Sequence, residues 1–132
     1  MYKKTITYSD FNNVERTEDF YFNLTKAELF ELNFKYPGGL SNHINRINSS
    51  QNSQELLRVF KEIIELSYGE KDDTGRRFVK SKELTDAFEQ TNAFSILYME
   101  LITDSDAASK FINGIVPADL SAEISANVAD EK

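Results

Sequence analysis

Between Thr91 and Pro117 the chain runs TNAFSILYMELITDSDAASKFINGIVP, and no other stretch limits the fold as much. It reads as two short apolar helices with a sharp stop after each. Phe94, Leu97, Tyr98, Leu101 and Ile102 fall on one helical face. Ile96 and Met99 make the opposite face apolar as well, so this helix asks for cover on nearly all sides. Asp104-Ser105-Asp106 starts the second helix with capping oxygens and acidic charge at its N-terminus. Asn113-Gly114 closes that helix, and Pro117 forbids an easy continuation.

The rest of the chain has to supply the cover. Its 132 residues suffice for one domain with a real core. Residues 3–8 and 15–22 are rich in Thr, Ile, Tyr and Phe, and Asp10, Asn12 and Asn13 lie between them. This pattern predicts an N-terminal β-hairpin with Ile6, Tyr8, Phe20 and Phe22 set against their alternate neighbours. A lone hairpin is marginal in water, so it should pack on helices. Thr25 and Glu28 form a capping box that opens a helix carrying Leu29, Phe30, Leu32, Phe34 and Tyr36. Pro37-Gly38-Gly39 breaks it, and a shorter helix from Leu40 to Asn48 turns Ile44 and Ile47 inward before a polar loop over residues 48–52.

Ser53 is placed to cap the strongest helix, from about Gln54 to Ser67, with Leu56, Leu57, Phe60, Ile63, Ile64 and Ser67 inside. Gly69 ends it, Glu70–Gly75 is a loop, and Arg76–Val79 is briefly extended. Ser81 caps a further helix with Leu84, Ala87 and Phe88 inward. The expected fold is α+β and mainly helical, an N-terminal β-hairpin packed on a compact bundle of five to six short helices. Residues 1–117 form one globular domain, and 118–132 read as a flexible acidic tail in which Leu120, Ile124 and Val128 recur at four-residue spacing.

Chemistry is harder to find. The single histidine, His43, has no oriented partner in the sequence and reads as structural or solvent-exposed. Asp72-Asp73 and Asp104-x-Asp106 lack the spacing of a calcium loop, so no metal is expected. Gly38-Gly39 belongs to no phosphate-binding motif, so no cofactor is expected either. Arg76-Arg77 is offset by Glu70, Asp72 and Asp73, and pairing with its own aspartates is the favoured reading. With no cysteine, thiol catalysis, disulfides and zinc–thiolate sites are excluded, and a reducing cytosol fits. A net charge of −7 argues against a nucleic-acid partner. No signal peptide and no membrane span is recognisable, which points to the cytoplasm. No catalytic residue is assigned.

Ten Phe and six Tyr without Trp are the unusual load. Helical spacing assigns most of them to the core, but aromatics and Met are also what protein-binding surfaces favour. The candidates for a surplus at a partner-binding surface are Tyr68, Ile96, Tyr98, Met99, Phe111 and Ile112.

The segments SYGEK after the long helix, GRRFVKS beyond it, Leu84, Phe88 and Thr91, and LYMEL to FINGIVP resemble phage tail assembly chaperones of long-tailed phages that infect Gram-positive bacteria. The resemblance covers about Glu55 to Pro117. It implies a non-enzymatic protein of the host cytoplasm that binds the tape measure protein and promotes tail tube polymerisation around it. Such a protein leaves before the virion matures. The tail tube protein and a second copy of the chain are further implied partners. A longer frameshifted form would make residues 118–132 a linker. Two other readings stand beside it. One is a structural neck or tail-end subunit of the virion. The other is a small acidic regulator of a host protein, which predicts acids gathered on one face.

Overall fold

The alternation at the N-terminus does produce a hairpin. β1 (Tyr2–Ser9) and β2 (Glu15–Phe22) pair antiparallel from Tyr2 opposite Phe22 to Ser9 opposite Glu15. Ile6, Tyr8 and Phe22 turn to the core, and Thr5, Thr7 and Asp19 face solvent. The computed structural model describes residues 1–36, 38–50 and 52–117, and the expected acidic tail 118–132 lies outside them.

Six helices follow among the described residues: α1 (Lys26–Lys35), α2 (Leu40–Ser50), α3 (Ser53–Ser67), α4 (Lys82–Glu89), α5 (Asn92–Thr103) and α6 (Ser105–Ile115). The fold is α+β and mainly helical, as the pattern predicts. Most caps are those read from the sequence. Thr25 and Glu28 close their reciprocal box, Ser81 accepts from the Leu84 N–H, and Asp104 accepts from the amides of Asp106 and Ala107. Each satisfies donors that the first helical turn leaves without a partner.

The structure corrects the reading in several places. Gly69 is not a helix stop, because α3 already ends at Ser67 and Tyr68–Lys71 forms a strand, β3. Tyr68 and Gly69 pair with β2, while Glu70 and Lys71 pair with β4 (Phe78–Val79). The hairpin is thus half of a four-stranded sheet of order β1-β2-β3-β4. A Cβ on Gly69 would lie 2.7 Å from both the Phe78 ring and the Val79 carbonyl, so the approach of β4 requires glycine there. α2 extends through Ser50 into the predicted loop, and the cap of α3 is Asn52 in place of Ser53. α6 continues through Asn113-Gly114 to Ile115.

Two inward faces are also rotated. On α3 Leu57 is exposed and Val59 is buried, and on α4 Ala87 is exposed while Thr85 is buried. The face that is buried follows the neighbours a helix meets, which periodicity alone does not name.

The sheet and α4 to α6 share a connected set of aromatic rings. Tyr2 stands edge-on to Phe111 at 5.4 Å, Phe111 to Phe22 at 5.2 Å, and Phe22 to Phe88 at 5.9 Å. Phe88 stacks on Tyr68 at 4.4 Å and reaches Tyr98 through Phe94. Phe20 joins Tyr8 to the same Phe88. Pairs of this kind add about 0.5–1.5 kcal/mol each beyond the area they bury. The Leu24 N–H donates to the Ile115 carbonyl at 2.7 Å, which ties the end of α6 to the segment just before α1.

Candidate partner-binding surface

The six residues singled out by sequence separate into two groups. Phe111 is fully buried and Tyr68 is 8% exposed, so both belong to the ring network and neither stands at the exposed surface where the sequence reading looks for a surplus. Tyr98 and Ile112 are half-buried and pack against the core. The Tyr98 hydroxyl donates to the Leu57 carbonyl at 2.7 Å and pins α5 to α3. Ile96 and Met99 are 42% and 54% exposed. The all-round cover that α5 seemed to require is therefore incomplete. Ala93, Leu97 and Leu101 are buried, whereas the opposite face remains open. Lys4 pairs with Glu100 at 2.9 Å and holds the helix against β1 without covering that face.

A second apolar site was passed over in the sequence. On α1 only Leu29 and Leu32 are buried, and Phe30 and Phe34 stand 64% and 74% exposed on the other side. The two rings meet edge to face at 4.8 Å, the i,i+4 neighbour geometry of a helix surface. Helical aromatics read as core by default, so the signal available was only the narrowness of the Leu29/Leu32 stripe.

The third is the hairpin tip, where Phe11 and Val14 are 76% and 53% exposed. The loop beneath them is tightly bonded. Asp10 Oδ1 accepts from the amides of Asn12 and Val14 at 2.8 and 3.0 Å, and Oδ2 accepts from Arg16 Nε at 2.7 Å. The Arg16 guanidinium, helped by the Val14 amide, holds the Asp10 carboxyl below the usual range.

Among the described residues the polar groups serve structural links. His43 Nε2 lies 3.0 Å from Glu55, and its ring stacks on Tyr36 at 4.4 Å, so it links α2 to α1 and α3. Arg58 first, and His43 second, hold the Glu55 carboxyl down to about 2. Burial, then the neighbouring Glu65, push the Glu89 carboxyl up, and its Oε1 has no hydrogen-bond partner among the described residues. Among those residues no group of three or more His, Cys, Asp or Glu could hold a metal ion. Nor is any described helix long and apolar enough to cross a membrane.

The expected pairing of Arg76-Arg77 takes a different form. Asp72 accepts from the backbone N–H of Arg77 at 3.4 Å and from the Thr74 hydroxyl at 3.0 Å. The two arginines stay exposed, and neither guanidinium forms an ion pair among the described residues. What the molecule presents is apolar side chains on well-bonded elements, with charge around them. No curated protein and no solved structure matches the chain. The phage tail assembly chaperone family does match, over residues 1–132, so the whole chain carries the pattern that residues 55–117 suggested and belongs to that family.

Proposed function

We propose that this protein acts without catalysis in the host cytoplasm, where it binds the tape measure protein of its phage and keeps it soluble. It presents that protein while tail tube subunits polymerise around it, and it is absent from the mature virion. The observation that carries this reading is the exposure of large apolar side chains on short, capped helices, Ile96 and Met99 on α5 and Phe30 and Phe34 on α1. A monomer that needed no partner would gain by burying or replacing them. A long apolar-rich client needs such adaptable surface, and the net charge of −7 keeps the complex in solution. Family membership supports the assembly role.

The test is co-expression with the tape measure protein encoded by the same genome. A soluble, co-purifying complex is expected, and Met99→Asp should weaken it without unfolding the chain. A folded chain that never associates with the tape measure protein would sink the reading. So would its detection by mass spectrometry in purified virions, which would favour a structural neck or tail-end subunit.

A further inference from the structure

β4 is the last strand of the sheet, and among the described residues no strand pairs with its outer edge. The Asp72 N–H donates to the Arg77 carbonyl at 3.0 Å, which fixes the groups that face β3. Bonding alternates along an antiparallel pair, so Phe78, opposite Lys71, turns both its N–H and its carbonyl away from β3. Neither meets a backbone partner among the described residues.

A groove of about 400 Å³ lies along that edge, between β4 and the start of α1. Thr25 and Glu28 line one side of it, and Arg77, Phe78, Val79 and Lys80 line the other. Lys80 Nζ donates to Glu28 Oε2 and to the Asn23 carbonyl, both at 2.7 Å, so the charges of Lys80 and Glu28 cancel. That leaves Arg77 as the uncompensated charge of the groove, with Arg76 exposed beside it. Asp72 does not answer them, because its Oδ1 accepts from the Thr74 hydroxyl and the Arg77 amide instead.

Edge and charge together describe the occupant. Free strand-edge groups suit an extended peptide, and an unbalanced guanidinium suits a carboxylate. In an antiparallel partner strand, the residue opposite Arg77 comes within about 5 Å of it, Cβ to Cβ. A second copy meeting β4 about a two-fold axis through Phe78 would instead set Arg76 opposite Lys80, and like charges in that position are destabilising. With two residues, β4 offers one matched pair of backbone bonds rather than a long ladder, so the charges have to supply the selectivity.

We propose that the β4 edge binds an extended acidic segment of a partner protein, which bonds Phe78 through its backbone and Arg77 and Arg76 through its carboxylates. The site uses none of the exposed apolar residues of α1 and α5, and it stands whatever occupies those.

The probe is the capped pentapeptide Thr-Val-Thr-Glu-Glu, titrated into the isotope-labelled full-length chain and followed by NMR and amide hydrogen exchange. Its counterpart Thr-Val-Thr-Lys-Lys is the control. At millimolar concentration the acidic peptide is expected to shift the Phe78 amide, and to slow its exchange about tenfold when present at about ten times its Kd. The lysine peptide should do neither. Arg77→Glu should weaken the acidic peptide about fivefold and turn the preference towards the lysine peptide. Equal binding of the two peptides, no effect at the Phe78 amide, or an unchanged preference in Arg77→Glu would each overturn the proposal. So would a Phe78 amide already protected in the free chain, since the edge would then be occupied without a partner. The comparison of the two peptides uses the unaltered chain, so it decides the matter even if Arg77→Glu disturbs folding. No other phage protein is present, so failure here leaves the co-expression result intact.

Discussion

In the region built from the hairpin, α4, α5 and α6, Phe22, Phe88 and Phe111 are 0–3% exposed, whereas Phe30 and Phe34 on α1 are 64% and 74% exposed. All five sit in regular elements, and the sequence around each looks suited to a core. The difference lies in what stands opposite. Phe22 comes off a sheet whose inner face meets α4 and α6, so it finds Tyr68, Phe88 and Phe111 within 6 Å. α1 meets the body through a stripe of two leucines and through the ion pairs Lys35–Glu62 and Glu28–Lys80. An outward Phe there has only its neighbour one turn away. One residue type thus builds the interior in one region and stands at the surface in the other.

The largest test of that contrast removes a ring from the interior. Phe111→Ala should cost about 3–5 kcal/mol, measured by denaturant unfolding, because the ring is fully enclosed and its cavity is bounded by Tyr2 and Phe22. That is a large share of the stability of a small domain.

Gly114→Ala comes next and sets two effects against each other. Alanine in a helix gains about 1 kcal/mol over glycine. Here its Cβ would lie 2.5–3.1 Å from the Tyr2 side chain, close to the ring's root where little can give. Overpacking of this kind costs about 1–3 kcal/mol, so a net loss of stability is expected. A gain would show that Tyr2 is loosely held and that the dense region ends short of β1.

The pH test reaches the less dense side. Arg58 and His43 hold the folded Glu55 carboxyl at about 2, well below the usual carboxylate range. A depressed folded value contributes stability at neutral pH, and that contribution is lost as pH falls from about 4.5 towards 2. Glu55→Gln should therefore flatten the fall of the thermal midpoint across that window and change little at pH 7 beyond the lost ion pair. An unchanged acid profile would mean that the bridge from α2 to α3 contributes nothing there.

The smallest effect is the most diagnostic for the contrast. Phe34→Ser should change stability by no more than about 0.5 kcal/mol, because the side chain is already mostly in water. A loss of 2 kcal/mol or more, of the order seen for a core ring, would erase the distinction between the regions.

Much of this was legible because it is local. The Thr25–Glu28 box, the Ser81 and Asp104 caps and the Ile6/Tyr8 alternation each need only a few consecutive residues, and each appears where read. β3 was not legible, since Tyr68-Gly69 after a long helix looks like a stop until β2 is beside it, 46 residues earlier in register at Phe22 and Tyr68. The candidate surface was half legible for the same reason. Ile96 and Met99 oppose a well-marked buried face on their own helix. Tyr68 and Phe111 are buried by residues from distant segments, and the exposure of Phe30 and Phe34 follows from no element crossing α1 among the described residues.

The bond from Leu24 to Ile115 has a consequence for the order of synthesis. The hairpin precedes all six described helices in the chain, yet many of its closures come from the last third of the described residues. Lys4 waits for Glu100, Ser9 for Asn92, Tyr2 for Phe111 and Leu24 for Ile115. Two strands alone are marginal in water, and contacts of such separation form slowly because the intervening loop must first close. On the ribosome the N-terminal strands therefore remain an unfinished surface until α5 and α6 emerge. This member of the tail assembly chaperone family thus passes through an exposed interval of its own before its sheet is closed.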